Sequence, residues 1–230
     1  MPYTSPTVGT IDENTATTSH TLTPGAPSGV AAGNLVLLLL GFRGTPSAEP
    51  TVTGFTRLTE TSTNRIQLWG RIATGTDDTP SISATLGTSA VAVAQYACFP
   101  GAPASMTGIA AATAVADSST IGPSIPTEAL GTPSEDNALI VYAGFSFDDD
   151  GPCTTFPNGS SVIGDTNNAV LSTWTVWSYK IQTTAAAAGA SEFTATGIGD
   201  QNTYSRVIAL KAGAGVPATP TMGRCVYILP

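Results

Sequence analysis

The sequence predicts an all-β protein: a jelly-roll-like β-sandwich built from two duplicated halves, followed by a short C-terminal tail. Three observations point there. Asn34–Phe42 carries six consecutive aliphatic side chains, Leu35–Leu40, between Gly33 and Gly44, the pattern of a strand covered on both faces. The same phrase returns as Asn137–Phe145, NALIVYAGF. No window carries a sustained i, i+3, i+4 apolar stripe, and Glu, Lys and Gln are sparse, so helices are not expected.

Taken in order, Thr7–Ile11 and Thr17–Leu22 alternate small and β-branched residues and suit strands. Pro24–Gly29 is a turn cluster. The apolar run Asn34–Leu40 follows, then a loop from Gly44 to Pro50. Val52–Leu58 alternates again, and Arg65–Ile72 places Ile66, Leu68, Gly70 and Ile72 on one face. After Asp77–Pro80, Ser81–Leu86 and Ala90–Phe99 read as two strands stopped by Pro100 and Gly101. The second half repeats this order. Ile121–Ile125 stands where Thr17–Leu22 stood, and Ala138–Phe145 matches Leu35–Phe42. Ala169–Ile181 takes the place of Arg65–Ile72, with Lys180 and Ile181 on Arg71 and Ile72. Phe193–Thr196 mirrors Ile82–Thr85, and Thr203–Lys211 mirrors Val91–Phe99. Residues 1–213 therefore form one sandwich body with repeat halves at about 5–102 and 110–213. One strongly buried strand lies in each half, so a single shared core is preferred to two tandem sandwiches. Residues 214–230 are a linker and tail. Ala185–Ala188 sits between threonines and glycine and reads as a loop.

Charged residues make up 10% of the 230, with 8 Lys and Arg against 16 acids, a net charge of −8. No Lys or Arg occurs between Arg71 and Lys180. A chain without a basic stripe has nothing to neutralise phosphates, which argues against nucleic acid and anionic membranes as partners. The opening MPYTSPTVGT has no basic or apolar leader pattern, so no signal peptide is expected, and no apolar run is long enough to span a bilayer. Cys98, Cys153 and Cys225 are odd in number and widely spaced. Reduced thiols are expected, without a metal site.

His20 is the only histidine, with no cysteine near it and no GxSxG elbow in the chain. It reads as an exposed or half-buried strand residue, not as a zinc ligand or catalytic base. Glu49, Glu60, Glu128, Glu135 and Glu192 fall in or beside expected loops, where solvated surface is their ordinary role. No catalytic residue and no cofactor is assigned. Asp148, Asp149 and Asp150, closed by Gly151, offer oxygens to a hard cation. They lack EF-hand spacing, so a solvated turn is the expectation and no metal is assigned. Trp174 is out of phase with Trp177, so on a regular strand one of them points outward. Trp174 with Asp148, Asp149 and Asp150 is the candidate glycan-facing set. Val226, Tyr227, Ile228 and Leu229 form a short apolar tail, a candidate for strand addition to a neighbouring subunit. Asn158-Gly159-Ser160 fits the glycosylation pattern, which carries little weight without a secretory signal.

The phrase Pro27-Ser28-Gly29-Val30-Ala31-Ala32-Gly33-Asn34-Leu35-Val36-Leu37 resembles the start of a broad group of bacteriophage virion proteins. In that group a "PxGxxxGDLLL"-like strand is followed by "GFTxL", matched by Gly54–Leu58. An aromatic strand ending in a basic residue and "xAT" follows, matched by Leu68–Thr74. A "YxxxGA"-type exit is matched by Tyr96 through Gly101 and Ala102. Asn34 stands where the acidic residue is usual, and Pro100 precedes Gly101. The resemblance spans about residues 27–213 and implies jelly-roll parts of capsids, head fibres or tails, with no catalytic residues to carry over.

It implies a non-enzymatic virion structural protein assembled in the host bacterial cytoplasm, most concretely a capsid decoration (cement) protein. Its partners would be capsid or other virion proteins, and it would form a homo-oligomer, a trimer suiting a capsid symmetry axis. A tail or head-fibre adhesin binding host glycans is the second reading, and a carbohydrate-active enzyme the third.

Overall fold

The structure is a computed structural model describing residues 3–58, 65–75, 82–101, 106, 116–122, 124–147, 152–195 and 201–211. Among the described residues fifteen strands follow one another: β1 (Thr7–Val8), β2 (Asp12–Leu22), β3 (Leu35–Phe42), β4 (Thr51–Val52), β5 (Thr56–Arg57), β6 (Ile66–Ile72), β7 (Ile82–Phe99) and β8 (Ala116–Gly122). Then come β9 (Ser124–Thr127), β10 (Ala138–Ser146), β11 (Cys153–Thr155), β12 (Ser161–Asn168), β13 (Thr173–Gln182), β14 (Ser191–Ala195) and β15 (Gln201–Leu210). A 3-10 turn at Pro157–Gly159 is the one helical element among the described residues. The protein is all-β, an antiparallel β-sandwich.

A seven-stranded sheet runs β1-β7-β3-β6-β5, with β2 and β4 also paired to β7, and a five-stranded sheet runs β12-β13-β10-β15-β8. The order β7-β3-β6-β5 in one half is repeated as β15-β10-β13-β12 in the other. The outer strands repeat as well. Leu22 of β2 and Val52 of β4 both face Ile82 at the start of β7. In the second half β9 and β11 flank β14 in a separate three-stranded sheet, with Ile125 opposite Phe193.

The registers adjust the sequence alignment by one residue. Leu35 faces Ile72 on β6 and Phe99 on β7, while Leu139 faces Ile181 on β13 and Leu210 on β15. Leu139, not Ala138, is the counterpart of Leu35, and Leu210, not Lys211, that of Phe99. Side chains alternate along a strand, so a slip of one exchanges the faces. The likeness of Phe42 to Phe145 hides this, because both faces of both strands are apolar.

Every residue of β3 and of β10 is buried. Leu35, Leu37 and Leu39 meet Leu139, Val141, Phe145 and Trp177 in a central core between the two large sheets. Val36, Leu38, Leu40 and Phe42 point the other way, under Leu22, Val52, Ile82 and Leu86. Ile140, Tyr142, Trp174 and Val176 are covered likewise by Ile125, Leu130 and Phe193. Side chains of both halves meet in this central core, and each large sheet is also covered on its far side, giving a layered body in which β3 and β10 lie deepest. Each fully buried Leu contributes about 1.5–3 kcal/mol.

A polar link crosses the central core. Trp177 Nε1 donates to Gln95 Oε1 at 2.9 Å, and Gln95 Nε2 donates to the Gly9 carbonyl at 3.3 Å. The N-terminal segment is tied to the second half by Tyr3 Oη to the Lys211 carbonyl (2.7 Å) and by Tyr179 Oη to Ser5 Oγ (3.1 Å). Of the two expected strands Ser81–Leu86 and Ala90–Phe99, the described part from Ile82 is joined through exposed Gly87–Ser89 into the 18-residue β7 (Ser81 lies outside the described residues). Its first part pairs with β2 and β4, and its last part lies between β3 on one side and β1 and the start of β2 on the other.

Candidate functional site

Four chain segments converge at one end of the sandwich: the exit of β3 with Arg43, the approach to β6 with Arg65, the exit of β10 with Phe147, and Tyr204 early in β15. The pairings dictate the convergence, since Gly41 lies opposite Ile66 and Ser146 opposite Thr203 and Trp174. The Arg65 guanidinium lies over the Phe147 ring at 5.1 Å and the Tyr204 ring at 5.3 Å. The Arg43 guanidinium lies 5.8 Å from the Phe147 centroid. Each such contact is worth about 0.5–1 kcal/mol at an exposed site. Arg65 Nη1 donates to the Arg43 carbonyl, and Arg43 Nη1 donates to the Leu171 carbonyl at 3.1 Å. The second bond ties the first half to the hairpin between β12 and β13. An open depression of about 310 Å³ lies beside this stack, lined by Arg43, Thr88, Ser89, Ala90, Val91 and Phe147.

The β12–β13 hairpin tip is braced as well. Asn168 Oδ1 accepts from the backbone N–H of Val170 and of Leu171, both at 3.1 Å, and Asn168 Nδ2 donates to Glu13 Oε2. Ser172 closes the turn in the left-handed region, φ 48°. On this held tip Val170 is 91% exposed.

The sequence candidates fare differently. Trp174 is not at the surface: it has no exposed area, lies in the outer core of the second half, and donates Nε1 to Asp165 Oδ1 at 2.7 Å. It does point away from Trp177, but the face it points to is covered by β9 and β14, so it offers no stacking platform. Asp148, Asp149 and Asp150 lie outside the described residues, as do Val226, Tyr227, Ile228, Leu229, Cys225 and Glu60. His20 is buried at 2% exposure, not half-exposed, with Nε2 3.1 Å from the Thr17 carbonyl. Bulges in β2 next to Thr17 fold the backbone onto the imidazole.

The carboxylates among the described residues have separate partners. Glu49 pairs with Arg57 at 2.8 Å, Glu135 with Lys211 at 3.7 Å, and Glu192 accepts from Ser124 Oγ at 2.6 Å. Among the described residues no three His, Cys, Asp or Glu side chains are placed to hold a metal. No helix among them is long and apolar enough to cross a membrane. The Asn158 side-chain amide donates to the Gly189 carbonyl at 2.9 Å and toward Tyr142 Oη at 3.3 Å, so its nitrogen is engaged by the fold.

Cys98 and Cys153 are free thiols. Burial, and then the negative Asp165, push Cys153 up to about 11. Burial likewise pushes Tyr96 up to about 12, against the opposing pull of Arg71. Both groups hold their protons longer in the folded chain than in the unfolded one. Their contribution to stability is complete below about pH 9 and falls as the pH rises through 11 to 12. Urea midpoints measured from pH 7 to 12 should hold level to about pH 9 and then decline. A midpoint that rises over pH 9–11 would contradict these environments.

The sequence does not mark Arg43, Arg65, Phe147 and Val170 as a site. The one available signal was the position of two isolated arginines beside the most apolar strands of an acidic chain. No family model, curated protein or solved structure matches this chain.

Proposed function

We propose that this chain is a non-enzymatic structural protein of a bacteriophage particle, most concretely a capsid decoration protein that works by adhering to other virion proteins. The observation that carries the adhesive part is the braced hairpin tip: an apolar side chain 91% exposed on a turn held from both halves. A pre-ordered apolar knob loses little conformational freedom when it enters a pocket, so most of its burial appears as affinity. The layered body behind it supports the same reading, since both faces of β3 and β10 are used for packing. The virion assignment is supported by the resemblance. Its motifs fall on β3, β5, β6 and β7 of the first half, where Leu35, Leu37, Leu68 and Tyr96 are core side chains. They are therefore signs of a fold, and the assignment to the head over the tail rests on the acidic, compact, single-body character of the chain. The tail Val226–Leu229 is proposed as a second contact, adding a strand to a neighbouring copy in an oligomer.

The test is reconstitution on particles lacking the protein. Wild type should bind and raise the temperature at which the particles release their genome, and its density should lie on the head. Val170→Asp should weaken binding about 10–100-fold, the value of one buried Val side chain, while leaving the fold unchanged. Density on the tail, or binding indifferent to Val170→Asp, would remove the decoration reading.

A further inference from the structure

We infer that the depression beside Arg43 binds a carboxylated monosaccharide, a uronic- or sialic-acid unit of a surface glycan. This goes beyond the structural role above and stands or falls independently of it. The lining supplies the three elements such a unit needs. Arg43 offers a planar fork of N–H donors suited to a carboxylate, with one donor engaged by the Leu171 carbonyl, which fixes its position. Exposed Thr88 and Ser89 bring hydroxyls to the rim, partners for sugar hydroxyls. Ala90, Val91 and the Phe147 ring form a small apolar floor against which the carbon face of a pyranose can lie.

Size and charge narrow the choice. A volume of about 310 Å³ is at the lower end for ligand sites and suits a single substituted ring. Among the described residues no carboxylate lies within ion-pair distance of Arg43 or Arg65, although the chain carries 16 acids to 8 bases. Two of those bases meet here, stacked on Phe147. Arg65, fixed between Phe147 and Tyr204, acts as a positioning residue: it holds the ring and donates to the Arg43 carbonyl. Thus, among the described residues, two arginines that no carboxylate pairs lie beside an open cup.

The test is saturation-transfer NMR on the full chain with four probes. They are the methyl glycosides of glucuronic acid, N-acetylneuraminic acid and glucose, and N-acetyl-glutamyl amide. Transfer is expected from one or both acidic sugars, weaker at high salt. It should weaken about 10–100-fold in Arg43→Gln, the value of a charge-assisted hydrogen bond. Ser89→Tyr, a change at an exposed position that fills the cup, should abolish transfer, and Lys180→Gln should leave it unchanged. If Arg43→Gln fails to fold, Ser89→Tyr decides. No transfer from either acidic sugar overturns the inference, as does equal transfer from methyl glucoside. Equal transfer from the glutamyl amide, which would make a peptide carboxylate the ligand, overturns it too, as does transfer that survives Ser89→Tyr.

Discussion

Trp177→Ala should lower the free energy of unfolding by about 4–5 kcal/mol, enough to take a domain of ordinary stability close to its threshold. Trp177 is among the largest side chains with no exposed surface, and it stands in the central core between the two halves. Truncation leaves a cavity that well-paired strands on either side cannot close. It also leaves Gln95 Oε1 without the donor it holds at 2.9 Å, a further cost of about 1–3 kcal/mol for a buried polar atom. Trp177→Phe separates the two effects: most of the volume stays and the donor goes, so a loss of about 1–3 kcal/mol is expected. Urea unfolding followed by circular dichroism measures both, and the transition should stay single because the halves share this core. A loss below about 1 kcal/mol in Trp177→Ala, or a split into two transitions, would mean that the halves are stable apart.

Gly9→Ala is the second large effect, about 3 kcal/mol or more, from the addition of one methyl group. A Cβ at Gly9 would fall inside the van der Waals envelope of the Gly25 carbonyl oxygen, with Gly25 C at 3.0 Å and Ala26 C at 3.2 Å. These are backbone atoms, and neither segment can retreat without breaking a hydrogen bond. Gly9 N–H donates to the Tyr96 carbonyl at 2.9 Å, and Gly25 N–H donates to the Thr10 carbonyl at 3.1 Å. Moving Gly9 would also pull its carbonyl from Gln95, so the damage would reach the link to Trp177. Gly131→Ala, where an added Cβ meets nothing within 4 Å, is the control and should stay within about 0.5 kcal/mol. Equal midpoints for the two variants would show that the N-terminal segment does not seat as described.

The strands that could be read from the sequence are those whose composition is decided by burial. Leu35–Phe42 and Ala138–Ser146 are buried along their whole length, and an unbroken apolar run signals that whatever the neighbours are. Polar edge strands carry no such signal. β11, and β12 with its Gly164, Asp165, Thr166, Asn167 and Asn168, were not anticipated, and β2 begins at Asp12 where Thr17 was expected. Their order comes from hydrogen bonds to β14, β13 and β7: the pairings to β14 and β7 are long-range, and the pairing to β13 is a hairpin of two strands with little apolar signal on the β12 side. Ala169–Ser172 has the composition of a strand and is the turn that presents Val170. An exposed valine beside a leucine reads as core until the turn is seen.

By itself the sequence determined the all-β class, the repetition of the two halves, and the two strands at the centre of the sheets. Those follow from apolar periodicity and glycine and proline punctuation, which are local properties. Only the tertiary structure decided the one-residue register between the halves, the covering of Trp174 and His20, and the meeting of Arg43, Arg65, Phe147 and Tyr204. Each of these depends on which strand lies opposite which, and a side chain that alternates faces every residue changes its surroundings completely with a single step of pairing.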